Sequence, residues 1–123
     1  MFVDKNSVLI IDDEPSVADA LQLILTDNGY DAVVALTGRA GLEQAGCRRF
    51  DLTITDLQLP DITGLEVLAS MREMNPNQRV IVITAHISPE IVAQTADVGA
   101  VTVLSKPFLP SDILKLTREA LGH

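Results

Sequence analysis

Tryptophan is absent from the 123 residues, and one tyrosine and three phenylalanines are the only aromatic side chains. The interior therefore has to be filled by Val, Ile, Leu and Ala, which suits central parallel strands covered by helices. Cysteine occurs once, at Cys47; this excludes an intrachain disulfide framework and a thiolate metal cluster, and fits a reducing cytoplasm. Cys47 itself is expected to be a partly buried small hydrophobe. Positive charge is also scarce, with nine Lys and Arg against seventeen Asp and Glu and a net charge of −8. Nucleic-acid backbones are bound through clustered basic residues, and Arg48-Arg49 is the densest basic spot, so no direct nucleic-acid contact is expected. The first apolar run, Val8-Leu9-Ile10-Ile11, stops at two aspartates, unlike a signal peptide. No run approaches the roughly 18 apolar residues of a membrane span. A soluble, cytoplasmic protein is expected, with residues 1–123 forming one domain and no output domain within the chain.

What the chain does have is alternation. Residues 8–11, 31–36, 51–55, 79–84 and 101–105 read as strands, and Val80-Ile81-Val82-Ile83 is the clearest buried one. Between them lie helical segments. One starts at Asp13-Glu14-Pro15, carries Val17, Leu21, Ile24 and Leu25 on one face, and ends at Asn28-Gly29. A second, from Thr37-Gly38 to about Cys47, is weakened by Gly41 and Gly46. A third follows Gly64 and closes at Asn75-Pro76-Asn77. The fourth runs from the cap at Ser88 to Gly99, and the last begins at Ser111-Asp112 with Ile113, Leu116 and Ala120 on one side. Five strands alternating with five helices predict an α/β, doubly wound (βα)5 domain with a parallel sheet and right-handed crossovers. Ligands of such sheets bind outside the carboxyl ends of the strands.

Those ends carry Asp12, Asp13, Asp56, Thr84 and Lys106. Gathered carboxylates repel one another unless a cation neutralises them, and an oxygen-only set with room for water suits Mg²⁺ better than zinc. Asp13 and Asp56 are the candidate direct ligands, Asp12 acts through water, and a main-chain carbonyl in the Leu57–Gln58 turn adds another. A carboxylate can also be the nucleophile toward a phosphoryl group, and phosphoryl transfer is mostly positioning and charge neutralisation. Metal, the Lys106 ammonium and the Thr84 hydroxyl would then take one phosphoryl oxygen each. Taken singly, each residue has a plainer reading: Asp12-Asp13-Glu14-Pro15 as a helix start, Asp56 as a loop cap, Thr84 as a strand-end filler, Lys106 as a solvated charge. Their shared placement on one rim is what points to a site.

The chain resembles the receiver domain of two-component response regulators over nearly its whole length. The resemblance rests on Asp12-Asp13 after the first strand, Asp56 in Thr-Asp-Leu-Gln-Leu-Pro-Asp with Gly64 beyond it, Thr84-Ala85 after the fourth strand, and Lys106-Pro107-Phe108 after the fifth. It implies a flavodoxin-like sheet in 2-1-3-4-5 order. It further implies that Asp56 takes a phosphoryl group from the phosphohistidine of a sensor histidine kinase or phosphotransfer protein, with Mg²⁺ on Asp13, Asp56 and the main chain of Gln58. Thr84 and Lys106 contact the phosphoryl oxygens in such domains, Gln58 and His86 stand at the positions that tune dephosphorylation, and the Lys106–Pro107 bond is cis. The implied output is a changed face of the fourth helix, fifth strand and fifth helix toward a downstream protein, a linked output domain or, on phosphorylation, a second copy. No turnover of an external substrate is expected. One departure is Val103, which stands where receivers commonly carry Tyr or Phe; the signal is expected to be read from the fourth helix and its loop instead.

Three other readings compete. A Mg²⁺-dependent phosphatase with an Asp nucleophile would want an Asp-x-Asp pair after the first strand, where this chain has Asp12-Asp13-Glu14. A receiver-like interaction module that is never phosphorylated would not need the five-residue set. A flavin- or dinucleotide-binding sheet lacks its glycine-rich first turn here.

Overall fold

A computed structural model describes residues 6–99 and 102–122. The chain alternates β1 (Ser7–Ile11), α1 (Pro15–Asp27), β2 (Asp31–Ala35), α2 (Gly38–Cys47), β3 (Leu52–Asp56), α3 (Gly64–Met74), β4 (Val80–Thr84), α4 (Pro89–Val98), β5 (Thr102–Ser105) and α5 (Pro110–Ala120). All strand pairs are parallel, in the order β2-β1-β3-β4-β5. This is the doubly wound sheet that the alternation implies. Val101, placed in the fifth strand from the sequence, lies outside the described residues.

The continuous apolar runs are the central strands: every residue of β1, β3 and β4 is buried, while the edge strands β2 and β5 are only partly so. Within each central strand, alternate side chains serve opposite faces. Val8, Ile10, Ile54, Ile81 and Ile83 pack with Leu21 and Leu25 of α1 and Ile113 of α5. Leu9 and Ile11 meet Val67 and Met71 of α3 on the other face, and Val80 and Val82 meet Leu57 and Leu68.

Three differences from the sequence reading have clear causes. The second strand stops at Ala35, because Leu36 has turned outward and is 45% exposed. The third extends to Asp56, which stays in register with Ile83. Cys47, expected partly buried, is exposed at the end of α2. The glycines that weaken α2 on propensity have a packing reason at one position. A Cβ at Gly41 would overlap the Ile11 side chain, so only glycine lets this helix approach β1 so closely.

Candidate functional site

The strand order reverses at β1, whose carboxyl end lies beside that of its parallel neighbour β3. Backbone bonds fix the rim there. Asp12 N donates to Ala35 O at 3.1 Å, Leu57 N to Ile83 O at 2.9 Å and Lys106 N to Thr84 O at 2.8 Å. Each residue after a strand thus begins from a fixed main-chain position. Gly64 is packed against this rim, since a Cβ would collide with the Asp56 carbonyl and Leu57 Cα, and its N–H donates to Leu57 O at 2.8 Å.

Lys106 is the centre of the cluster. Its Nζ lies 2.8 Å from Asp56 Oδ2, 3.1 Å from Asp12 Oδ2 and 3.4 Å from Glu14 Oε1. Asp12 is 1% exposed and Asp56 6%. Burial alone would lower the Lys106 pKa, but the Asp56 and Asp12 carboxylates against the ammonium outweigh it and hold it well above its ordinary value. Asp12 is pushed up by burial, against the opposing effects of the Glu14 N–H and Lys106. Its Oδ1 accepts from Glu14 N at 2.9 Å. Its Oδ2 has the lysine ion pair, which lacks hydrogen-bond alignment, and no other partner. Asp56 Oδ1 accepts from Gln58 N at 3.1 Å. An open bowl of about 280 Å³ beside these groups is lined by Asp13, Glu14, Asp56, Gln58, Ala85 and Lys106, with Leu59 and Pro60.

Of the residues singled out from sequence, the fold brings Asp12, Asp13, Asp56 and Lys106 together, with the Gln58 main chain beside them. Thr84 is buried one strand away, and its hydroxyl accepts from His86 N at 3.1 Å. His86 itself is exposed. The Lys106–Pro107 peptide is cis. Glu14 is a member that sequence reasoning took only as a helix start. It is the N-cap of α1 and makes no side-chain cap bond; its carboxylate turns to Lys106 instead. The carboxylates of Asp12, Asp13, Glu14 and Asp56 offer oxygens all within 4.8 Å of one another. Four acids against one lysine, with a buried carboxylate oxygen lacking an aligned donor, fit a hard divalent cation held by oxygens.

Asp61 was also missed. Its Oδ1 and Oδ2 accept from Gly38 N at 2.9 Å and Arg39 N at 2.8 Å, capping α2 from the loop that carries Gln58. These bonds, that from Arg39 N first, lower its pKa below the ordinary 3.8. A depressed carboxyl adds stability above its unfolded pKa and loses it as pH falls through the folded one. Asp61→Ala is therefore expected to melt below wild type at neutral pH, with the two melting temperatures converging in acid well under pH 3.8. A gap that persists unchanged in acid would show that the cap does not act through this charge.

A doubly wound sheet with a lysine-bridged carboxylate cluster at its switch point defines a flavodoxin-like class of signalling module. Residues 8–118 match the response regulator receiver domain family, and the chain belongs to that family as the receiver domain of a two-component response regulator. Among curated relatives, an uncharacterized transcriptional regulatory protein, YkoG of Bacillus subtilis, is 34% identical over 97% of this chain and 52% of its own length. The transcriptional regulatory protein ZraR of Escherichia coli O157:H7 is 36% identical over 98% of this chain and 27% of its own. The chain thus spans about half or about a quarter of these relatives. Among solved structures, a CheY-like receiver domain protein from Methanospirillum hungatei superposes with a TM-score of 0.93 at 30% identity, covering 97% of this chain and 95% of that one. CheY4 of Vibrio cholerae gives 0.93 at 32%, covering 96% and 100%. Phosphorylation and Mg²⁺ binding at an acidic pocket are features of this family. No helix among the described residues is long and apolar enough to cross a membrane.

Proposed function

We propose that Asp56 is the phosphoacceptor of this chain, taking a phosphoryl group from a phosphohistidine of a sensor histidine kinase or phosphotransfer protein. The observation that carries this reading is the Lys106 ammonium 2.8 Å from Asp56 Oδ2, from a residue 50 positions away, at the rim of an acidic bowl. A carboxylate oxygen of Asp56 attacks phosphorus, the O–P bond forms as the P–N bond breaks, and the electron pair leaves with the imidazole nitrogen, which takes up a proton. Lys106, fully charged at neutral pH, shifts its ammonium from the carboxylate to a phosphoryl oxygen. Thr84 turns its hydroxyl from His86 toward a second. Asp13, Asp56 and the Gln58 carbonyl are the candidate Mg²⁺ ligands, with Asp12 through water; bound there, the ion supplies charge neutralisation on the phosphoryl oxygens.

An apolar groove of about 500 Å³ opens beside Lys106, between Val17 and Ala20 of α1 and Pro107-Phe108, and supports docking of the donor protein next to the acceptor. Gln58 and His86 border the site and would set phosphoryl lifetime. With Val103 in place of an aromatic, output passes through α4 and its loop to the α4–β5–α5 face, where a downstream protein, a linked output domain or a second copy binds. Transcriptional output belongs to a longer protein of the kind the relatives are. The chain turns over no external substrate beyond its own phosphorylation and dephosphorylation, and acts in the cytoplasm.

The test is incubation with Mg²⁺ and acetyl phosphate followed by intact mass measurement. One added phosphoryl group is expected, and none when the metal is chelated. An unmodified, folded protein with Mg²⁺ present rejects the reading; steady hydrolysis of a phosphomonoester would favour a phosphatase.

A further inference from the structure

The loop between β3 and α3, residues 57–63, forms one wall of the acidic bowl through Gln58, Leu59 and Pro60. It also carries the Gln58 carbonyl, a candidate metal ligand. Its two ends are fixed: Leu57 N donates to Ile83 O at 2.9 Å, Gly64 N donates to Leu57 O at 2.8 Å, and the Thr63 hydroxyl caps α3 by accepting from Glu66 N at 3.1 Å. Between them, from Gln58 to Ile62, no backbone–backbone bond holds the loop among the described residues. A span of this kind takes its position from its side chains.

Two adjacent side chains supply it, and both reach α2. Asp61 sets one carboxylate oxygen against Gly38 N at 2.9 Å and the other against Arg39 N at 2.8 Å. A helix leaves its first N–H groups without an intrahelical partner; here Asp61 takes two of them and Thr37 Oγ1 takes that of Ala40 at 3.0 Å. The carboxylate also sits at the positive end of the helix. Ile62, next along the chain, fills the space beside Gly38, where a Cβ would overlap its side chain, and packs onto the cluster of Leu9, Ile11 and Val67. A pair of charge-assisted hydrogen bonds and an apolar wedge thus bolt the loop to one turn of α2. The bolt stands apart from the bowl, since Asp61 neither lines it nor belongs to the four gathered carboxylates.

We propose that Asp61 is a positioning residue for the metal site: by fastening the loop to the amino end of α2 it holds the Gln58 carbonyl in place, and so raises Mg²⁺ affinity without touching the ion. This rests on the ligand set given with the phosphoacceptor reading. Coupling of this kind runs both ways. Bonds from Asp61 that favour the metal-binding position of the loop are themselves favoured when metal is bound, which makes the first turn of α2 a remote reporter of the site.

Isothermal titration of Mg²⁺ into the chelator-treated chain, paired with amide hydrogen exchange, tests this at a temperature where every variant is folded. Asp61→Ala is expected to weaken Mg²⁺ binding about tenfold, the low end of what removing a group behind a ligand does. Asp61→Asn, which keeps one acceptor oxygen, falls between. In wild type, Mg²⁺ is expected to slow exchange at residues 38–40; in Asp61→Ala it leaves them unaltered. Two controls separate positioning from simpler effects. Thr37→Ala loosens the same helix turn without touching the loop, and Glu66→Gln removes an exposed negative charge from the start of α3; both are expected to bind Mg²⁺ as wild type does. Wild-type affinity in Asp61→Ala overturns the proposal. So does an equal loss in Thr37→Ala, where affinity would follow the stability of α2, or in Glu66→Gln, where it would follow charge alone. Those results leave the phosphoacceptor reading standing, whereas a folded wild type that binds no Mg²⁺ overturns the metal site itself and the role of Asp61 with it.

Discussion

Asp56→Asn is expected to take up no phosphoryl group from acetyl phosphate, and to melt above wild type in metal-free buffer. The first result follows from the loss of the nucleophile, since an amide oxygen has no comparable affinity for phosphorus. The second follows from the local charge count. Asp56 gains from Lys106 at 2.8 Å, but one of its oxygens also lies within 4.8 Å of an oxygen of each of Asp12, Asp13 and Glu14. At an effective dielectric of about 20, the single attraction is worth about 6 kcal/mol and each repulsion at least about 3.5, so three acids outweigh one lysine. Asparagine fills the same volume and still accepts from Gln58 N. The net gain after solvent relaxation is expected at about 1–2 kcal/mol. Mg²⁺ should then raise the melting temperature of wild type much more than that of the variant. A variant less stable than wild type without metal would mean that the carboxylates do not repel as their spacing requires.

The same residues explain how much could be read before any coordinates. The three buried strands are legible because burial on both faces forces continuous apolar runs such as Val80–Ile83. The rim is legible because each of these runs ends at a charged or hydroxyl residue, and parallel topology puts all such ends on one side. What stayed hidden depends on contacts between distant residues. Glu14 looks like any acid before a helix proline; only the fold brings Lys106, 92 positions on, to its carboxylate. Asp61 caps a helix whose first residue lies 23 positions earlier, so no local capping pattern marks it. The weakness of α2 was judged from glycine propensity, yet Gly41 is there because Ile11 occupies the space a side chain would need. Arg72 reads as a surface residue of an amphipathic helix until Gly99 is seen against it.

Lys106→Met should have the largest effect on stability, and of opposite sign to Asp56→Asn. Methionine keeps most of the apolar stem but leaves Asp12 and Asp56, 1% and 6% exposed, without their cation. Removing one partner of a buried ion pair costs about 3–5 kcal/mol, because the remaining charge stays desolvated. Here two carboxylates are left, and Asp12 Oδ2 has no other partner. The loss should be measurable as a lower urea midpoint in chelator, and Mg²⁺ should restore part of it by binding the same oxygens. The pH dependence has a definite sign. The Lys106 pKa is raised in the fold, so its contribution is complete below 10.5 and is lost only at still more alkaline pH. Asp12 is raised above 3.8 by burial, and without the lysine it rises further; protonating it removes the uncompensated charge. The deficit of Lys106→Met is thus greatest near neutral pH and narrows as acid is added. In Lys106→Met/Asp56→Asn the two effects share one contact and cannot add. The double variant should regain stability relative to Lys106→Met by more than Asp56→Asn gains over wild type, because the carboxylate it removes no longer has an ammonium to lose. Simple additivity would show that Lys106 and Asp56 are neighbours in space but not in energy.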